Sequence, residues 1–216
     1  MDEVLLFGAP YSVYVRIARL VLAEKGVPYR LVEVDVFGDA ASRSEHLGRH
    51  PFGKIPAFQH GAIHLYETNA ICHYIDEAFA GPPLQPKSPL ARARMLQAIS
   101  ILDSYAYRTL VWDIFVERVG NPKDGKASDE ARIAAALPVA RTCLAVLDAL
   151  VPEAPWLAGG QLSLADLHAA PMLDYFLKAP EGRMLGEHPR LARWWNAIMP
   201  WRRGSRWPRH ASAEDG

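Results

Sequence analysis

Val4-Leu5-Leu6-Phe7 is a continuous apolar run, the pattern of a short strand buried on both faces. Gly8-Ala9-Pro10 interrupts it, and from Tyr11 the apolar period lengthens. Val13, Ile17, Leu20 and Val21 fall at i, i+4, i+7 and i+8, one face of a helix that Gly26 and Pro28 bring to an end. Val32, Val34 and Val36 alternate with Glu33 and Asp35, which predicts a half-covered strand over 32–36. Strand, helix, strand in that order implies a right-handed parallel crossover. Residues 37–50 mix Gly, Ser, Arg and His and predict a loop with one short helix. Residues 57–65 read as an antiparallel hairpin turning at His60-Gly61, and Asn69 to Ala80 as a closing helix. The first part of the chain is therefore predicted as βαβ followed by ββα, a four-stranded mixed sheet with helices on both sides.

Gly81-Pro82-Pro83 and Pro86-Lys87-Ser88-Pro89 stiffen the next stretch, predicting a linker over 81–89 between a domain of residues 1–80 and one of residues 90–216. Beyond it strand signals vanish. Helical patterns fill 89–119, 128–150, 163–178 and 189–201, so the fold class is α/β plus all-α. One helix start is strongly marked. Ser163-Leu164-Ala165-Asp166 has the spacing of a capping box, with Leu162 and Leu167 placed for the hydrophobic staple beside it. That device is structural rather than chemical.

Composition narrows the possible functions. Lys plus Arg and Asp plus Glu both total 24 in 216 residues, so no bulk field points to nucleic acid. Cys72 and Cys143 are the two cysteines, too few for a disulfide framework or zinc cluster. Each sits within a predicted helix and reads as a packing thiol. The histidines show no metal spacing. The start Met1-Asp2-Glu3 has the opposite sign from a secretory leader, and no apolar run approaches the ~18 residues of a membrane span. The expectation is a soluble cytoplasmic protein without a metal, membrane or nucleic-acid partner.

Chemistry gathers in His50-Pro51-Phe52-Gly53-Lys54-Ile55-Pro56-Ala57-Phe58 and in Leu65-Tyr66-Glu67-Thr68. Proline cannot donate to a sheet ladder, so Pro56 belongs at a strand's first position or in a turn. A cis bond there would turn the backbone of Ile55 outward, with its N–H and C=O available to an extended peptide. Glu67 and Thr68 sit where a helix begins, and the amide groups there attract a carboxylate. Together these features describe a seat for a short charged peptide.

Taken with Pro10-Tyr11-Ser12 before the first helix, the segment 50–57, Glu67-Thr68-Asn69-Ala70-Ile71 and Ser163-Leu164-Ala165-Asp166, the chain resembles the cytosolic glutathione S-transferase family, in a serine-type, theta- or phi-like bacterial form. The resemblance runs over nearly the whole chain. It implies a thioredoxin-like first domain, an all-helical second domain, a homodimer and a role in detoxification. It also implies glutathione as co-substrate: Pro56 as the cis-proline, Ile55 pairing its backbone with the cysteinyl part, Glu67 and Thr68 holding the γ-glutamyl end, and Lys54 and Arg43 near the glycine end. Threonine stands where serine is usual, and His50 where asparagine is usual.

A free thiol of pKa ~8.5 is only a few per cent thiolate near pH 7. Lowering that value by ~2 units takes ~2.7 kcal/mol of stabilisation of the anion. A hydroxyl donor at a helix N-terminus supplies the means. The resemblance picks Ser12, with Arg16 four residues on, as donor to the thiolate; Tyr11 and Tyr14 are the competing hydroxyls, and a simple helix cap is the plainer role for Ser12. For an apolar electrophile, the resemblance points to Tyr11, Tyr105, Tyr107 and Trp112, and the tail with Arg202, Arg203, Arg206 and Arg209 is a further basic feature. The expected activity is conjugation of glutathione to that electrophile. Alternatives are isomerisation, dehalogenation or peroxide reduction with glutathione, or a non-catalytic assembly module.

Overall fold

The computed structural model describes residues 2–38, 40–153 and 155–203, without the side chains of residues 40–43 and 200–203. The tail arginines and Arg43 therefore lie outside the described side chains. The chain divides into two compact units. One runs to Pro83 and takes in the chain again from Trp201; the other is Leu84–Pro200.

The first unit contains β1 (Val4–Phe7), α1 (Val13–Glu24), β2 (Arg30–Val32), α2 (Ala40–Leu47), β3 (Ala57–His60), β4 (Ile63–Tyr66) and α3 (Thr68–Ala78). The strand order is β2-β1-β3-β4. β1 pairs parallel with β2 and antiparallel with β3, and β3 pairs antiparallel with β4. This is the expected βαβ–ββα arrangement. β2, however, begins two residues and ends four residues earlier than the valine alternation predicts. β1 stops at Phe7, Val32 pairs with that last residue, and the Gly8 N–H takes the Val32 carbonyl at 3.0 Å. Val34 and Val36 then have no strand left to pair with.

α1 buries Val13, Val15, Ile17, Leu20, Val21 and Leu22, and it packs against α3. Lys25 ends it and turns its ammonium inward, donating to the Asp76 carbonyl at 2.9 Å, to Asp76 Oδ1 at 3.1 Å and to the Pro82 carbonyl at 3.2 Å. The end of α3 and the following proline segment are thereby tied to α1. Gly81 makes that approach possible: its φ is +127°, and a Cβ there would sit 3.2 Å from the Lys25 Cα. Gly81→Ala is expected to cost about 1–3 kcal/mol, in the range for a non-glycine residue forced into that region. Urea unfolding measures it, and an unchanged midpoint would contradict the argument.

The second unit is helical. α4 (Pro89–Ile101) continues into a π-helical stretch, Leu102–Gly120, and a last turn α5 (Asn121–Lys123). Leu102, Ala106, Leu110 and Ile114 recur every fourth position and are wholly buried, a spacing that suits the wider winding of a π-helix. α6 (Glu130–Leu150), α7 (Leu164–Phe176), a 3-10 run (Pro180–Glu187) and α8 (Pro189–Arg203) complete the described part. Every residue of α7 is buried, which makes it the central helix of this unit.

Contrary to the expectation from the sequence, one helix, α6, is long and apolar enough to cross a membrane by length and composition, with a mean hydropathy of 1.7 over its most apolar 18 residues. Its alanines and valines hide an apolar run that scattered charges obscure. Ile133, Ala136, Ala140, Cys143, Leu144 and Leu147 form its buried face, and it packs on the π-helical stretch. Buried Glu117 fixes that packing, taking Arg132 Nη1 at 2.8 Å, Asn121 Nδ2 at 2.8 Å and the Asp129 N–H at 3.0 Å.

Candidate functional site

Register brings the predicted residues to one end of the sheet. Phe7, the last residue of β1, lies opposite Ala57, the first of β3, which lies opposite Tyr66, the last of β4. The chain leaves β1 toward Ser12, enters β3 from Ile55-Pro56 and leaves β4 into Glu67-Thr68. α1 and α3 therefore both open their N-termini at that end. Gly8 keeps the first loop close: a Cβ on it would overlap Val15 and come 3.3 Å from the Ile55 Cβ.

Ser12 is the N-cap of α1, with its Oγ accepting from the Val15 N–H at 3.5 Å. That bond uses an oxygen lone pair and leaves the hydroxyl proton to be donated. Arg16 is completely buried within α1. Tyr11 is half exposed, and burial, followed by the charge of Asp35, pushes its phenol pKa up.

The Ile55–Pro56 peptide bond is cis. Among the described residues, none pairs with the N–H or C=O of Ile55. The preceding carbonyl, that of Lys54, accepts from His46 Nε2 at 2.7 Å, while the Lys54 side chain is exposed. Thr68 is buried as the first residue of α3. Glu67 before it has φ +71°, a left-handed conformation that is uncommon and costly outside glycine. Its side chain is 64% exposed at the same sheet end.

His50, the departure from the usual asparagine, lies behind Glu67. It is buried, its ring centroid is 5.0 Å from that of Tyr66, and its Nδ1 accepts from the Phe52 N–H at 3.4 Å. A neutral ring so held carries its proton on Nε2, which is 3.8 Å from Glu67 Oε1. Burial lowers the His50 pKa below its ordinary 6.5; Glu67 pulls the other way, and His46 and Lys54 add to the lowering. The unfolded chain thus binds the proton more readily than the folded one. The stability owed to neutral His50 is present in full above pH 6.5 and is lost as pH falls through the lower folded value. Between pH 7.5 and pH 5.5 the melting temperature of the parent is expected to fall more than that of His50→Asn; equal falls would contradict this.

Of the aromatic residues expected at the electrophile, Tyr11 lies in the first unit and Tyr105, Tyr107 and Trp112 in the second. Tyr105 is exposed, whereas Trp112 hydrogen-bonds Tyr107, whose phenol is pushed up by burial. Two cavities occur in the first unit. One, of about 680 Å³, is lined by Tyr11, Val34, Asp35, Glu45, His46 and Arg49 among others. The other, of about 420 Å³, is lined by Val34, Val36, Leu47 and Phe52. Ser12, Ile55, Glu67 and Thr68 line neither of these two. Sequence reasoning missed Asp35 and His46 as site neighbours, and gave Tyr66, within the stretch it singled out, no role of its own. The spacing of His46 and His50, one helical turn apart, was the available signal for the histidines. Cys72 and Cys143 are buried and not joined in a disulfide, and burial raises the Cys143 pKa.

Two family models match the chain, one described as glutathione S-transferase, N-terminal domain, over residues 6–83, and one as glutathione S-transferase, C-terminal domain, over residues 105–200. The probable glutathione S-transferase GSTF1 of Oryza sativa subsp. japonica is 30% identical over 202 residues, 92% of this chain and 92% of that protein. Among solved structures, glutathione S-transferase III in apo form is similar with a TM-score of 0.84 at 28% identity, covering 98% of this chain and 96% of that one. Glutathione S-transferase I from maize, in complex with an atrazine glutathione conjugate, is similar with a TM-score of 0.80 at 27% identity, covering 93% of both chains. These likenesses carry no support for a bacterial origin. With both domain models matched in order across more than half of its length, the chain belongs to the glutathione S-transferase family.

Proposed function

We propose that this chain is a glutathione transferase that lays glutathione along Lys54–Thr68 and presents its sulfur to Ser12 for attack on an apolar electrophile. The observation that carries the reading is the convergence of three features at one end of the sheet: the open backbone of Ile55 before a cis proline, the capped N-terminus of α1, and the N-terminus of α3 behind Glu67. Ile55 would pair with the cysteinyl backbone as an added strand does. Thr68 and the first amides of α3 would take the γ-glutamyl carboxylate, and Glu67 its ammonium. Lys54, with Arg43 on α2, would meet the glycine carboxylate.

Ser12 is favoured over Tyr11 as the thiolate donor. Its hydroxyl caps a helix whose N-terminal dipole also stabilises an anion, whereas the Tyr11 phenol is raised and faces the carboxylate of Asp35. For the electrophile, Tyr11 is the candidate of the first unit, and the roles of Tyr105 and Trp112 rest on the family resemblance alone. The atrazine conjugate held by the maize relative supports an aromatic acceptor. A cytoplasmic homodimer is part of the same proposal, and family likeness alone supports it. Calorimetric titration with glutathione, and turnover of a chloronitroaromatic, test the assignment. Absence of both binding and turnover would overturn it.

A further inference from the structure

We propose that His50 is a positioning residue whose charge sets how firmly Glu67 holds the γ-glutamyl ammonium of glutathione, so that acid weakens ligand binding. The inference rests on the seat assigned above and adds a control that the family's usual asparagine cannot provide.

The geometry is specific. Glu67 is a non-glycine residue in left-handed backbone, which sets the direction in which its Cα–Cβ bond leaves the sheet end. His50 lies behind it with Nε2 at 3.8 Å, inside ion-pair range and beyond a direct hydrogen bond. The imidazole is buried with the Tyr66 ring at 5.0 Å; the proton it gains goes on Nδ1 and displaces the 3.4 Å bond from the Phe52 N–H, while Nε2–H faces Glu67 in both states. The charged groups facing it are few: Glu67 from the β4–α3 junction, His46 from α2 and Lys54 from the loop before β3. Two of the three are basic, and Glu67 is the one anion among the described residues. A neutral ring turns an N–H dipole toward that carboxylate and leaves it to the ligand. An imidazolium places a full charge beside it, satisfies the carboxylate internally and repels an incoming ammonium. Both effects act in the same direction.

The test uses S-methylglutathione, which keeps the γ-glutamyl group and removes the thiol whose own titration would mask the effect. Affinity is measured by calorimetry from pH 7.5 to pH 5.0 for the full-length parent, His50→Asn and His50→Gln. The amides keep a donor beside Glu67 and cannot take a charge. The parent is expected to lose about tenfold in affinity over that range, discounted from the full Coulomb effect for the exposure of Glu67, and the amide variants about twofold or less. Thermal melts at each pH confirm that the compared proteins are folded. Parallel pH curves for parent and amide variants would overturn the role of His50 while leaving the peptide seat intact. No binding to any of the three proteins at pH 7.5 would remove the seat itself, and the inference with it.

Discussion

Asp166→Ala is expected to lower folding stability by about 3–5 kcal/mol, well beyond the ~1 kcal/mol typical of a lost helix cap. The carboxylate has no solvent exposure and receives four hydrogen bonds. Oδ2 takes the Ser163 N–H at 2.7 Å and the Ser163 hydroxyl at 2.7 Å, the reciprocal half of the capping box. Oδ1 takes the Leu157 N–H at 2.8 Å and the Trp194 indole N–H at 2.7 Å. One side chain thus joins the segment before α7, the start of α7 and the buried tryptophan of α8. Truncation strands several buried donors, each costing about 1–3 kcal/mol when unsatisfied. Part of that sum is returned, because burial pushes the Asp166 carboxyl up from its usual range and its removal relieves that desolvation. Asp166→Asn keeps the volume and one acceptor, and is expected to lose about half as much. Urea midpoints at constant slope measure both. A loss within about 1 kcal/mol for the alanine variant would show that the cap is local and that the bonds to Leu157 and Trp194 contribute little.

The same residue shows what was legible before any coordinates. Ser163 and Asp166 are three apart and announce a cap, because capping is a local hydrogen-bond pattern with fixed spacing. Nothing local announces Trp194, which is 28 positions away and arrives through the packing of α8. The strands behave alike. β1 is readable as an apolar run, but the end of β2 is set by where β1 stops, so the valine alternation overshoots. α6 differs in the other direction: residues 128–150 read as a helical pattern with no long apolar run, while 18 of its residues together satisfy the length and polarity of a membrane span. Its packing on the π-helical stretch accounts for the buried apolar side.

At the site, residues whose backbone does the work were the most readable. Pro56 and the Glu67-Thr68 junction are constrained by rules of chain geometry that a sequence displays. Side chains that meet across the fold were less so. His50 could be marked as a departure, but its reach to Glu67 depends on the β3–β4 register, which sets Tyr66 against its ring. Asp35 beside Tyr11 is likewise a product of the β2 turn, and it changes the standing of a hydroxyl that adjacency alone made a rival to Ser12.

Ser12→Ala is expected to reduce kcat/KM for conjugation by about 10²–10³, the range for removing one preorganised donor to a developing or resident anion. The hydroxyl has two separate duties. Its oxygen accepts from the Val15 N–H at a long 3.5 Å, a weak cap, and its proton is left for the sulfur. Loss of the cap alone costs about 0.5–2 kcal/mol of stability and leaves the chemistry of the bound thiol untouched. Loss of the donor raises the pKa of that thiol toward the ~8.5 of a free one. The two are separable by measurement. The ultraviolet absorbance of enzyme-bound thiolate, followed against pH, reports the thiol directly; its midpoint is expected to move up by about 1–2 units in Ser12→Ala, with the pH profile of kcat/KM moving alongside. Ser12→Thr keeps the hydroxyl and is expected to restore both midpoints in large part. Ser12→Asn caps a helix well but sets an amide where the hydroxyl stood, so it should recover stability without recovering rate. Tyr11→Phe should leave the midpoint in place. If the Ser12→Ala midpoint stays put and Tyr11→Phe shifts it instead, the sulfur is held by the phenol, and Ser12 is a helix cap and nothing more.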